Sequence, residues 1–150
     1  MPNHCENEIQ IYSGEGLAPI RDLIINEESG EKIIDFNLLV PQPEEVRNSP
    51  DMLGDQDRTT PNWYDWNCSN WGTKWNAYEC EVMQDIDEHD DDLLELRFTT
   101  AWAMPDAWIA KLVEKVLEHD PKASVCGFYR IEGFEAAGVW NTNDVRKGTN

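Results

Sequence analysis

The chain has 150 residues, of which 30 are Asp or Glu and 12 are Lys or Arg, a formal charge of -18. That length suits one domain able to bury about two-thirds of its unfolded surface, and that charge repels nucleic-acid phosphates and anionic membrane surfaces, which excludes a conventional DNA or RNA binder. No apolar run approaches the ~20 residues of a membrane span, and MPNHCENE lacks the basic start and apolar middle of a signal peptide, so the expected location is cytoplasmic.

Glu8 to Tyr12 alternates polar and apolar, with Ile9 and Ile11 on one face, and predicts a first strand. Leu17, Ile20, Leu23 and Ile24 recur at helical spacing before Gly30 and predict a helix over 17–28. Ile34, Phe36, Leu38 and Val40 alternate with Asp35 and Asn37 and predict a second strand over 33–40, ended by Pro41 and Pro43. Residues 41–62 are polar and rich in Pro, Asp and Asn, and read as a partly disordered excursion. Residues 63–75, WYDWNCSNWGTKW, hold four of the seven tryptophans. Asn62 can cap a short helix over 63–71, with Asp65 near its positive end and Gly72 past its other end.

Tyr78, Cys80 and Val82 alternate with Glu79 and Glu81, and Leu94, Leu96, Phe98 and Thr100 alternate with Glu95, Arg97 and Thr99, so an acid-linked hairpin is expected. Pro105 opens a helix near 105–119 whose stripe is Trp108, Ile109, Leu112, Val113, Val116 and Leu117. Val125 to Ile131 and Glu135 to Trp140 flank a Glu132-Gly133 turn, and 141–150 reads as a polar tail. The order contains βαββαβ, so the expectation is an α+β ferredoxin-like sandwich with extra strands, a Trp-rich helical insertion over about 41–75, and both helices on one face of an antiparallel sheet. Antiparallel pairing of the strands after Trp75 and before Trp102 would gather Trp71, Gly72, Thr73, Lys74, Trp75 and Trp102 at one end.

Three segments, MPNHCEN at the start, WGTKWNA at 71–77 and FTTAWAMP at 98–105, make the chain similar to the YubB-like family of small phage- and plasmid-borne proteins. His4 and Ala103-Met104 depart from the family pattern. The resemblance spans essentially the whole chain and implies a ferredoxin-like domain and a mobile-element origin, but it carries over no catalytic residues.

Tested singly, the candidate chemistries weaken. Counted from Asp85 as a calcium loop, the sixth residue is Asp90 and the twelfth Leu96, where the loop needs Gly and Glu. Cys68 and Cys80 lack C-x-x-C spacing, while His4, His89 and His119 are dispersed, so no metal or other cofactor is expected. The four cysteines, scattered singly, read as reduced thiols. His4 and Cys5 are neighbours that a strand would point to opposite faces, which argues against a nucleophile and base. Gly72-Thr73-Lys74 lacks the upstream glycine of a phosphate loop.

Two readings of function stay open. The first is a non-enzymatic acidic protein that engages a host protein with a basic surface, through counter-defence or imitation of nucleic-acid charge, with Asp85, Asp87, Asp90, Asp91 and Asp92 as its acidic surface. Its bland counterpart is that the acids only keep the domain soluble. The second is a small-ligand site or enzyme formed by Trp71, Thr73, Lys74, Trp75 and Trp102, with Lys74 and Arg97 as anion-binding charges. For those tryptophans the ordinary alternative is core packing with the indole N–H satisfied by backbone.

Overall fold

A computed structural model describes residues 3–47, 62–134 and 136–148. Strand β1, His4–Tyr12, buries Cys5, Asn7, Ile9 and Ile11 on one face, as its alternation requires. The hairpin β4, Tyr78–Gln84, and β5, Leu93–Ala101, comes after a Trp-rich helix described below, and a second hairpin pairs β6, Ser124–Ile131, with β7, Ala136–Asn141. These five strands form one antiparallel sheet in the order β4-β5-β1-β6-β7. The fold is therefore α+β with β1 central, although β1 and its neighbours lie far apart in sequence.

Between β1 and β4 the chain departs from the sequence reading twice. The helix expected over 17–28 is a single turn, α1, Ala18–Arg21. Leu23 and Ile24 close it with tight i→i−3 bonds of 3.0 Å, and the β-branched Ile25 turns extended into a two-residue strand β2, Ile25–Asn26. The strand expected over 33–40 reduces to β3, Ile33–Ile34, which pairs with β2 in a separate ribbon and takes no part in the main sheet. Its continuation is a 3₁₀ turn, Phe36–Leu38, because the Asp35 carboxylate accepts from Asn37 N–H at 3.0 Å and caps it. The apparent alternation thus breaks: Phe36 and Leu39 are buried while Leu38 is exposed.

Within the excursion, α2 spans Glu44–Arg47 and α3 spans Trp63–Asn70; residues 48–61 of the expected irregular stretch lie outside the described residues. Asn62 caps α3 as expected, accepting from Asp65 N–H at 2.8 Å. Helix α4, Asp106–His119, lays Trp108, Ile109, Leu112, Val113 and Val116 on the inner face of the sheet, where they join Ile9, Ile11, Leu94, Leu96, Phe98 and Val125 in one core. Ile20, Ile24, Ile34 and Phe36 complete that core, so the segment read as helix and strand packs on the same face as α4.

The expected polar tail is instead a helix, α5, Thr142–Gly148. Asn141 and Asp144 cap it reciprocally, the Asn141 Oδ1 accepting from Asn143 and Asp144 N–H at 2.9 and 3.2 Å and the Asp144 carboxylate from Asn141 N–H at 2.9 Å. Among the described residues, no helix is long and apolar enough to cross a membrane.

Candidate functional site

The tryptophan segment divides into a buried half and an exposed half. Trp71, 2 % exposed, meets Phe36 and Trp66 edge-on at 5.6 and 5.4 Å, and its indole N–H donates to Val40 C=O at 2.9 Å. Gly72 at φ +90 lets the loop touch the start of α4: a Cβ there would lie 2.1 Å from Asp106 Oδ1, and the preceding Trp71 carbonyl accepts from Trp108 N–H at 3.2 Å. Thr73 is buried and donates its hydroxyl to Trp75 C=O at 2.7 Å, while the buried Asn67 side chain donates to Lys74 C=O at 2.8 Å. Trp71 and Thr73 therefore serve the core and the loop, in line with the ordinary alternative for buried tryptophans.

Lys74, Trp75 and Trp102 do come together at the surface. The Lys74 ammonium lies 4.8 Å from the Trp75 ring and 5.0 Å from the Trp102 ring, between two indoles each 39 % exposed. Trp102 has φ +77, rare for a bulky residue, and is held there by its N–H bond to Asn3 C=O at 2.8 Å. Tyr64 meets Trp102 edge-on at 5.8 Å, and Tyr78 meets Trp75 at 6.4 Å. The Tyr78 hydroxyl in turn bonds His4 Nδ1 at 2.5 Å. The result is a surface row of aromatic rings around one cation.

Arg97 is not part of that group. It lies along β5 on the outward face of the sheet, bonded to Glu8 at 2.7 Å and 3.6 Å from Glu81. Sequence reading also missed how Tyr78 reaches this face. Glu79 at φ +51 bulges β4, so three steps from Tyr78 to Glu81 span only two from Thr99 to Arg97. The bulge turns Tyr78 outward while Cys80 and Val82 stay on the core side.

No described helix packs on the outward face. It carries Glu6 and Glu8 from β1, Glu81 from β4 and Glu95 from β5, against Arg97 and Arg130. Both arginines are engaged, Arg97 as above and Arg130 with Glu6 at 2.7 Å. A groove of about 440 Å³ runs over this face between Glu8, Gln10, Met83, Glu95, Phe128 and Val139. Acidic groups thus border an apolar floor.

The acidic run between β4 and β5 is not one surface. Asp85 forms a half-buried ion cluster with Arg21 and Lys32, both at 2.7 Å, and Arg21 also pairs with Glu27. The Arg21 guanidinium holds the Asp85 carboxyl well below the usual carboxylate range. Asp87 accepts from the His89 and Asp90 N–H groups at 2.7 and 2.9 Å, a turn internal to the loop. Only further along do the carboxyls repel, and Asp92 pushes the Asp90 carboxyl up. Among the described residues, no three His, Cys, Asp or Glu side chains are grouped to hold a metal ion.

All four cysteines are unbridged. Burial pushes the Cys5, Cys68 and Cys80 thiols up, which keeps them protonated and poor nucleophiles. Cys5 faces the core, whereas the adjacent His4 ring is held on the other face by Tyr78. Comparison of the chain with family models, curated proteins and solved structures gives no match.

Proposed function

We propose that this chain is a non-enzymatic acidic binding protein of phage, prophage or plasmid origin that acts in the cytoplasm on a host protein with a basic surface, and that it docks through the outward face of its sheet. One observation carries the reading: glutamates Glu6, Glu8, Glu81 and Glu95 outnumber the two arginines on a face no described helix covers, and both arginines are already bound to carboxylates. A cationic partner would meet net negative charge around an apolar groove, the combination that steers encounter and then buries area. The MPNHCEN, WGTKWNA and FTTAWAMP segments support membership of the YubB-like family and the mobile-element origin. The order β4-β5-β1-β6, antiparallel throughout, supports a ferredoxin-like core with β7 added at one edge.

The test is capture from host lysate by immobilised parent chain and by a variant carrying Glu6→Gln, Glu81→Gln and Glu95→Gln. These exposed or half-exposed side chains are not in the core, so the variant should fold. A partner captured at low salt, released at high salt and lost with the variant supports the reading; a partner retained equally by the variant refutes docking on this face. The exposed Trp75 and Trp102 around Lys74 favour a second reading, a small anionic or planar ligand stacked at that end. Loss of a partner or ligand with Trp75→Ala and Trp102→Ala, but not with the glutamine variant, would select it.

A further inference from the structure

The two outer strands of the sheet are guarded differently. β4 carries Glu79 and Glu81, is bulged at Glu79, and lies against β3, with the Cys80 thiol 3.8 Å from Ile34 C=O. β7 reads AAGVWN: it has no charge, no proline and an uninterrupted register from Ile131↔Ala136 to Cys126↔Asn141. Natural sheets blunt their edges with charge, proline or bulges, and an edge with none of these is a template for another strand.

The free backbone groups can be identified from the end of the strand. Val125 sends both backbone groups toward the β7 side, its N–H to Thr142 Oγ1 at 2.8 Å and its C=O from the same hydroxyl at 3.0 Å. Backbone direction alternates along a strand, so Gly127, Tyr129 and Ile131 also bond toward β7, where their partners are Trp140, Gly138 and Ala136. The residues between, Ala137, Val139 and Asn141, must then point their N–H and C=O groups away from the sheet. Asn141 agrees, since its N–H goes to the Asp144 carboxylate. Among the described residues, what is left along the edge is the backbone of Ala137 and Val139.

We propose that this edge pairs with the same edge of a second copy, antiparallel about a twofold axis at Gly138, so that Ala137 of each copy bonds Val139 of the other. The two residues with outward groups are then each other's partners, and the register needs no other. Gly138 meets its own copy at the close, non-hydrogen-bonded position, about 4.5 Å between Cα atoms, where neither side chain intrudes. On the outward face, Val139, 84 % exposed, gains Ala137 of the second copy as its neighbour, beside Phe128 across β6. A second copy is favoured over a basic segment because the strand itself, Ala136–Asn141, carries no charged side chain for cations to bind. The pairing is independent of docking on the outward face, and it joins two such faces into one continuous sheet.

With -18 on each chain, the copies repel at long range, so added salt should strengthen the pairing, opposite to its effect on a complex with a basic partner. Sedimentation of the full chain should give a mass twice 17.3 kDa at high concentration and moderate salt. Val139→Lys should halve that mass, because it places like charges diagonally across the seam, whereas Val139→Thr should keep it. The parent supplies a readout that needs no variant: the Ala137 and Val139 amides should exchange more slowly as concentration rises, and the other amides of β7 should not change. A chain that stays monomeric at every concentration and salt, or a dimer that survives Val139→Lys with both amides still exchanging freely, overturns the proposal.

Discussion

Replacing Trp71 by Ala measures how far the tryptophan segment belongs to the core. The residue is 2 % exposed and touches Phe36 and Trp66, and its indole donates to Val40 C=O. Removing a buried aromatic of this kind costs about 3–5 kcal/mol, and leaving the Val40 carbonyl without its donor adds up to ~1 kcal/mol where water cannot replace it. Against a usual domain stability of about 5–15 kcal/mol, that is a large fraction. In urea, with a slope of roughly 2 kcal/mol/M, the midpoint should fall by about 2 M. Trp71→Phe keeps a ring against Phe36 and Trp66 and loses the hydrogen bond, so about 1 kcal/mol is expected. Trp75→Ala removes a ring 39 % exposed, bounded by Tyr78 and the Lys74 ammonium, and should cost only about 1 kcal/mol. A Trp71→Ala protein with a parental midpoint and slope, or a Trp75→Ala loss as large as that of Trp71→Ala, would refute the division into core and surface tryptophans.

Gly72→Ala should destabilise by several kcal/mol, because φ +90 is strained for alanine and its Cβ would fall 2.1 Å from Asp106 Oδ1 and 2.9 Å from Asp106 N; thermal melting checks it. Asp85→Asn should cost about 1.5–3 kcal/mol by removing the charged partner of Arg21, measured by urea titration at neutral pH. Because the folded Asp85 carboxyl lies below its unfolded value, its contribution is present above the unfolded pKa, about 3.9, and is lost as pH falls through the folded one. The parent should therefore lose more stability than Asp85→Asn between pH 5 and the acid limit, and parallel pH profiles would contradict this. Asp87, Asp90, Asp91 and Asp92 changed together to Asn should leave the midpoint unchanged or slightly raised, since Asp90 and Asp92 repel; a large loss would show that the loop carries structure beyond its backbone bonds.

Elements with strong local signals were readable: Asn62 capping α3, the stripe from Trp108 to Val116 on α4, and Gly133 at φ +77 between β6 and β7. The gathering of Lys74, Trp75 and Trp102 also followed from pairing β4 against β5. Where the reading failed, a local polar group competed with periodicity. Asp35 captured Asn37 N–H and, through the bond its carboxylate accepts from the Asn76 amide, tied the turn to the segment just before β4, so an apparent strand became a 3₁₀ turn. Asn141 and Asp144 formed a capping pair that was present in the sequence and went unread. Asp85 looked like its acidic neighbours because Arg21 is 64 residues away, a separation across which sequence carries no spacing signal. The Glu79 bulge has no residue signature at all, yet it decides which face Tyr78 occupies.

Acidity in this protein is therefore several physical situations that composition merges. Asp85 is spent on Arg21 and Lys32 inside the fold, and the carboxyls at Asp90 and Asp92 repel each other in a loop. On the outward face, Arg97 sits between Glu8 and Glu81. A basic side chain approaching that face cannot simply neutralise Glu8; it must compete with Arg97 for it, at little net gain in an exposed pair. Glu95, whose carboxylate accepts from the Gln10 amide at 2.8 Å, pairs with no cation among the described residues and should contribute more to attraction. Replacing Glu95 alone should therefore slow partner association more than replacing Glu8 alone, measured as association rates at low salt. If Glu8→Gln slowed association more than Glu95→Gln, recognition would run through the Arg97 pair, with the partner reading a mixed-charge pattern in place of a negative field.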